Sequence, residues 1–334
     1  MNVLLTGGTG YIGSHTAVVL MEAGFNIVLL DNLSNSKQDV VDRLKKITSK
    51  KIAFVEGDVR DKSLVSSVLS TQKIDAVIHF AGLKSVSESV LDPLRYFDNN
   101  VGGTISLLEA MQDNDVKTIV FSSSATVYGE PQYLPIDELH PTCAINPYGR
   151  TKLHIEEMLQ DLCSSDTSWR VICLRYFNPV GAHESGLIGE NPVGLPNNLM
   201  PYLLDVACGV LPELLVFGDD YETVDGTGVR DYIHVMDLSL GHKAALEFCM
   251  RNSGFEVFNL GTGIGFSVLE VLTEFQNISG KKIPYQVTSR RQGDVALSYS
   301  LSSKAKAFLG WEAKRSLADM CASSLIFAQK HLKK

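Results

Sequence analysis

Short runs rich in Val, Ile and Leu alternate with stretches of helical periodicity through the first half of the chain. The runs predict strands at 3–6, 27–31, 52–56, 76–80, 118–123 and 170–176, most of them nearly continuous in apolar residues. The periodic stretches between them predict helices over 15–23, 38–48, 63–70, 100–112 and 148–162. A strand that is apolar on both sides is buried on both sides, and strands alternating with helices give a parallel sheet covered on each face. The fold class expected is therefore α/β, a Rossmann-type doubly wound parallel sheet. After Phe177 the pattern changes. Residues 178–201 are rich in Gly, Pro and Asn and read as a long functional loop. Shorter elements follow: helices over 201–208, 236–250, 267–277 and 317–331, and strands over 214–217 and 256–260. They suggest a smaller α+β domain. The division expected is 1–177, joined by about 231–260, as the first domain, with 178–230 and 261–334 as the second.

Composition narrows the function classes. The 334 residues are 45% hydrophobic and 20% charged, with a net charge of −8 and no Lys/Arg-rich block. Nucleic acid and anionic membrane are thus not expected partners. The six cysteines (143, 163, 173, 208, 249, 321) show no C-x-x-C and no paired His spacing, so reduced thiols in a cytoplasmic protein are expected, and no metal site. No basic leader and no 18-residue apolar run is seen, so neither signal peptide nor transmembrane helix is expected.

The chemistry is concentrated at the ends of the strands. TGGTGYIG, residues 6–13, follows the first strand and opens the first helix, with Gly8, Gly10 and Gly13 in G-x-G-x-x-G spacing and Gly7 added. Glycines there let a pyrophosphate approach the backbone, and the helix N-terminus behind them offers free N–H groups and a positive dipole. Tyr11 and Ile12 belong to the same loop. Asp31 ends the second strand 18 residues after Gly13, where a carboxylate can bind the adenosine ribose and repel a 2′-phosphate; that favours NAD over NADP. Asp31-Asn32 is also a good strand-ending turn. Asp58-Val59 lies past the third strand, and Phe80-Ala81-Gly82 with Lys84 past the fourth, at the edge where ligands of such sheets bind. Ser122-Ser123-Ser124 ends the fifth. Tyr148 alone among the tyrosines has a Lys four residues on, Lys152, and on a helix the two side chains would be neighbours. An ammonium beside the phenol would lower its pKa and make a base of it. Chance produces Y-x-x-x-K readily, so the pair gains its meaning from context.

Together TGGTGYIG, HFAGLKSV, SSSATVYG, YGRTK, RYFNPVGAH, NNLMPY, GTGVRDYIHV and RRQGD resemble the UDP-glucose 4-epimerase family of extended short-chain dehydrogenase/reductases, from Met1 to about residue 315. The resemblance implies C4 epimerisation of a UDP-hexose through a 4-keto sugar, with NAD held throughout the cycle. It implies that Tyr148 takes the proton, that Lys152 holds the Tyr pKa down and contacts the nicotinamide ribose, and that Ser124 relays or positions the proton. Around the dinucleotide it adds Asn99, Ser122, Tyr176 and Phe177. On the substrate side it implies Arg230 and Arg291 on the diphosphate, Asn178 between diphosphate and sugar, Asn198 and Leu199 on the sugar nucleotide, Leu215, Val216 and Phe217 at uracil, and Asp294 at its ribose. Ser298 stands where relatives carry Tyr or Cys beside the hexose 2-substituent, which leaves room for an N-acetyl group. Leu301 replaces an Asp or Asn before the next helix, so Ser302 or Ser303 is expected to cap it. The family also implies a homodimer. On the helices over 100–112 and 148–162, Val101/Ile105/Leu108 and Ile155/Leu159/Leu162 make apolar stripes that burial against the chain's own sheet explains equally well. Two other readings stay open: a nucleotide-sugar 4,6-dehydratase, disfavoured because Ala125 and Thr126 follow Ser124 where that reaction needs an acid and a base, and a non-catalytic NAD-binding regulator.

Overall fold

The computed structural model describes residues 1–192, 194, 196, 198–291 and 293–331. Its strands are β1 (Asn2–Thr6), β2 (Asn26–Asp31), β3 (Ala53–Glu56), β4 (Ala76–His79), β5 (Thr118–Ser124), β6 (Arg170–Tyr176), β7 (Asn178–Val180), β8 (Leu214–Phe217), β9 (Val229–His234), β10 (Gly254–Leu260), β11 (Gly265–Ser267), β12 (Tyr285–Thr288) and β13 (Leu297–Ser298). The helices are α1 (Tyr11–Glu22), α2 (Asp39–Thr48), α3 (Lys62–Thr71), α4 (Val86–Leu91), α5 (Pro93–Tyr96), α6 (Gly103–Asp113), α7 (Pro147–Ser165), α8 (Leu199–Ala207), α9 (Val235–Cys249), α10 (Val268–Ser279), α11 (Ser303–Leu309) and α12 (Leu317–His331).

Seven strands form one parallel sheet in the order β10-β6-β5-β4-β1-β2-β3. The chain winds outward from β1 in one direction, then returns and winds outward from β4 in the other. The crevice between β1 and β4 is therefore the switch point at which such sheets bind nucleotides. Both faces are covered. Val3, Leu5, Ile27 and Leu29 look to one core with α1 and α9, while Leu4, Val28, Leu30 and Phe121 look to the other with α3, α6 and α7. This is why the strands read as continuous apolar runs rather than alternating ones. A third core, built on Leu203, Leu204, Val216, Val271, Phe275 and Met320, holds α8, α10 and α12 together.

The differences from the sequence reading are mostly in short elements. β9, α11 and the small strands β7, β11, β12 and β13 carry too little periodicity to be seen in advance. The helix foreseen over 100–112 opens with a π-helical turn, Phe97–Gly102, and becomes α-helical only at Gly103. Ser302 does occupy the N-cap position of α11, but its side chain caps nothing there. Its hydroxyl is spent on Gly261, donating to the carbonyl at 3.1 Å and accepting from the N–H at 3.2 Å. The two apolar stripes are largely used inside the chain: Leu108, Ile155 and Leu159 are core, and only Ile105 stays exposed. Among the described residues no helix is long and apolar enough to cross a membrane.

Candidate active site

The loop after β1 is the first wall. Gly7 has φ of +68°, and a Cβ on it would stand 2.7 Å from the Ala81 nitrogen, so the loops after β1 and β4 touch only because Gly7 lacks one. At Gly13 a Cβ would meet the Gly7 carbonyl oxygen at 2.4 Å. Gly10 is the N-cap residue of α1 and offers no capping side chain. The first N–H groups of α1, at Tyr11, Ile12 and Gly13, are left facing the crevice with the helix dipole behind them. That cradle suits an anion such as a pyrophosphate, and the residues around it fit a dinucleotide.

Asp31 lies at the tip of β2. One carboxylate oxygen accepts from Thr9 N at 3.1 Å and the other from Leu33 N at 2.9 Å and Ser36 Oγ at 3.0 Å. These bonds aim the carboxylate and leave lone pairs over for a ribose. Asn32 donates to Asp58 at 3.0 Å, and Arg60 at 3.0 Å holds the Asp58 carboxyl down at about 2, so Asp58 stays ionised. Val59, by contrast, turns its side chain into the core. Phe80 stacks its ring 4.8 Å from His242. Asn99 donates to Asn100 at 3.0 Å on the π-helical turn, a deformation that often marks functional positions. Buried Asn100, which the sequence did not single out, accepts from Leu83 N at 2.8 Å and donates to Thr151 at 3.1 Å. It thereby ties the loop after β4 to α7. A Cβ on Gly82 would come within 3.3 Å of Asn100 and 3.8 Å of Lys152 Nζ, so the glycine loop and the reactive lysine share one crevice. Lys84 pairs with Glu190 at 2.9 Å, and the same carboxylate oxygen accepts from Asn198 at 2.7 Å. Glu190 thus bridges a cofactor-side and a substrate-side candidate, and nothing in its local sequence marked it.

Tyr148 and Lys152 occupy the first turns of α7, which starts cleanly because Asn146 caps it and Pro147 sits at its first position. Lys152 is buried, its Nζ 5.9 Å from the Tyr148 ring centroid, and it donates to the Ser122 carbonyl at 2.7 Å. Ser124 stands near enough to the Tyr148 phenol to favour its ionised form, and its hydroxyl accepts from Thr126 Oγ1 at 2.9 Å. One expectation needs correcting. Burial raises the Tyr148 pKa above its ordinary value, and Ser124 only partly opposes this, so the phenol is not held down as the spacing suggests. Lys152 is itself pushed down to about 8 by burial, against the pull of Glu156 and Cys173. At about 8 the lysine is still mostly charged near neutral pH, but its ammonium is turned toward the Ser122 carbonyl, and burial dominates at the phenol. Tyr176 donates to or accepts from His242 at 2.6 Å, with its hydroxyl also near Ser122, and Phe177 is buried behind Val127 and Tyr128.

Five of the substrate-side candidates, from β8, β9 and residues 291–298, come together. Arg230 on β9 lies 4.0 Å from Asp294, and Arg291 stacks its guanidinium 3.9 Å from the centroid of Phe217, the last residue of β8. Burial and then the charge of Arg230 lower the Arg291 pKa, while Asp294 opposes. Two guanidinium groups close enough to repel each other make a site for a multiply charged anion. Ser298 pairs in register with Arg230, which places it at the rim of this cluster. Leu215 and Val216 precede Phe217 on β8, with Val216 turned into the core. Leu199 opens α8 beside Asn198, and Asn178 is exposed at the start of β7.

Residues 4–324 match the family model described as GDP-mannose 4,6 dehydratase. The UDP-glucose 4-epimerase of Bacillus subtilis (strain 168) is 56% identical over 324 residues, 97% of this chain and 96% of that protein. That of Mus musculus is 54% identical over 327 residues, 96% and 94% of the two chains. The chain belongs to the UDP-glucose 4-epimerase family. A crystal structure of the Bifidobacterium longum UDP-glucose 4-epimerase, in complex with NAD+ and UDP, superposes with a TM-score of 0.97 at 50% identity, covering 100% of this chain and 99% of the other. The residues after Ser124, Ala125 and Thr126, carry no titratable group, and Thr126 Oγ1 donates to Ser124 at 2.9 Å.

Proposed function

We propose that the protein interconverts the C4 epimers of UDP-hexoses with a tightly held NAD. One observation carries the reading: the buried Lys152, four residues after Tyr148 on α7, stands 3.8 Å from the place a Cβ on Gly82 would take, in the crevice that the glycine loops line. Bound NAD would supply the oxidant and reductant at C4 of the sugar, and its cationic ring would add to the positive charge of Lys152 beside Tyr148. Asp31, the N–H groups of Tyr11 to Gly13, and Lys152 would hold it.

Tyr148 accepts the proton from the sugar 4-hydroxyl, with Ser124 near the phenol and able to pass the proton on. Lys152, anchored by Ser122, keeps the crevice cationic. Arg230 and Arg291 grip the diphosphate, and Asn178, Asn198, Leu199, the β8 backbone and Asp294 hold the rest of the nucleotide. Strong contacts to the nucleotide and few to the sugar let the 4-keto sugar turn its other face before the proton returns from Tyr148. Ser298 beside Arg230 supports a further substrate pair, UDP-GlcNAc and UDP-GalNAc, because a small side chain leaves space for an N-acetyl group. The domain division follows the same logic, with residues 1–177 and about 231–260 holding the dinucleotide and 178–230 with 261–334 holding the UDP-sugar. Six free thiols support a cytoplasmic location, and exposed Leu91, Leu94 and Ile105 beside α7 support a homodimer, which light scattering would test.

The decisive assay incubates the protein with UDP-galactose and identifies UDP-glucose by NMR. Tyr148→Phe should lose about 10³-fold in turnover while keeping its dinucleotide. Unchanged turnover in that variant would remove the proposal, and so would a wild type that forms a 4-keto-6-deoxy sugar, the dehydratase product.

A further inference from the structure

Glu156 lies one turn beyond Lys152 on α7 and takes no part in the chemistry above. Its side chain is only 4% exposed. An isolated carboxylate at that depth would be costly, and Arg175 on β6 answers it with a fork: Nη2 to Oε2 at 2.6 Å, and Nε to the two oxygens at 3.0 and 3.2 Å. Apolar residues of similar volume often serve stability as well as a buried ion pair does, so stability is weak grounds for its presence. The pair does something else. Glu156 Oε1 also accepts the hydroxyl of Ser123.

Ser123 is the middle of the triplet that ends β5. Its neighbour Ser122 supplies the carbonyl that anchors Lys152 at 2.7 Å, and Ser124 is the group that favours the ionised form of Tyr148. Side chains alternate along a strand, so Ser123 points to the opposite face from Ser122 and Ser124. A strand end gripped from one face holds its register and its pleat at the other. The grip is itself anchored, since Arg175 donates to Tyr128 at 3.0 Å and Tyr128 to Asn259 of β10 at 2.7 Å. A chain of contacts thus runs from Ser123 through Glu156 of α7 and Arg175 of β6 to Asn259 of β10.

We propose that Glu156, acting through the Ser123 hydroxyl, is a positioning residue that sets the end of β5 against α7 and so fixes both proton-handling contacts, Ser122 with Lys152 and Ser124 with Tyr148. The inference rests on the epimerase reading. Ser123→Ala removes the link and leaves the Glu156–Arg175 pair intact. It should lower kcat for UDP-galactose about tenfold, the effect of one lost hydrogen bond to a charged group, with KM and bound NAD unchanged. Ser123→Thr, which keeps the hydroxyl, should restore most of kcat. Glu156→Gln should repeat the kcat loss where it folds, and Ser123→Ala decides the matter where it does not. A Ser123→Ala enzyme within twofold of wild-type kcat overturns the inference, as does an equal loss in the Ala and Thr variants, which would mean packing alone. A wild type without epimerase activity would instead sink the reading beneath it.

Discussion

Gly13→Ala and Gly10→Ala separate the two duties of the glycine loop. An added Cβ at Gly13 would lie 2.4 Å from the Gly7 carbonyl oxygen and 2.9 Å from Gly8 Cα. Ordinary contacts between such atoms are about 3.5 Å, so loop and helix must part by roughly 1 Å. Both colliding groups are backbone, which cannot swing aside as a flexible side chain can. Overpacking of this kind costs about 3 kcal/mol, and alanine's better helix propensity within α1 returns about 1, leaving roughly 2 kcal/mol. With an unfolding entropy of about 2.1 cal/mol/K per residue, a chain this long should lose about 3 °C in Tm. The displaced N–H groups should also weaken NAD binding by on the order of 100-fold. Gly10 differs. Its φ of −67° and ψ of 174° suit any residue, and the one near atom, Gly7 O, would be 3.1 Å away. Gly10→Ala should therefore keep the wild-type Tm of the cofactor-free protein and still lose the dinucleotide, because the methyl group enters the open side of the cradle. Tm by calorimetry and NAD content after acid release measure the two effects. A Gly10→Ala protein that purifies with stoichiometric NAD would refute the cradle, and a Gly13→Ala protein with unchanged Tm would refute the steric argument.

Three further outcomes are expected. Ser298→Tyr should abolish turnover of UDP-GlcNAc while sparing UDP-galactose within a few-fold; loss of neither, in parallel product analysis, would show that the rim of β13 does not read the 2-substituent. Arg291→Lys should raise KM for UDP-galactose about tenfold with little change in kcat, since an ammonium cannot reproduce a fork stacked on Phe217; an unchanged KM would remove Arg291 from the diphosphate. Burial pushes His15 and His79 down to about 3 and His234 and His242 down to about 4. The unfolded chain protonates these rings near pH 6.5 and the native one does not, so their contribution is intact above that pH and is lost as pH falls from about 6.5 toward 4. Each contributes at most about 1.4 kcal/mol per pH unit, so urea midpoints should fall steeply between pH 6 and 5; a flat profile would mean the rings are charged in the native state.

Much of this architecture is written locally. Continuous apolar strands spaced by amphipathic helices admit little except a covered parallel sheet, and TGGTGYIG between the first strand and helix places the dinucleotide because every residue involved is a neighbour in sequence. Tyr148 and Lys152 are legible for the same reason, being one helical turn apart. Arg230, Arg291, Asp294, Phe217 and Ser298 come from β8, β9 and the segment around β13; only the family blocks named them, since no local pattern says that these strands meet. The raised pKa of Tyr148 is hidden for a related reason, because burial is a property of the whole fold that a spacing of four residues does not reveal. Ser123, Glu156 and Arg175 look like ordinary polar residues on a strand, a helix and a strand until packing sinks them together. Short-range periodicity determined the sheet, the glycine cradle and the reactive pair. The tertiary structure decided which distant charges share a cavity and how strongly each is held, because desolvation and long-range contact exist only once the chain has closed on itself.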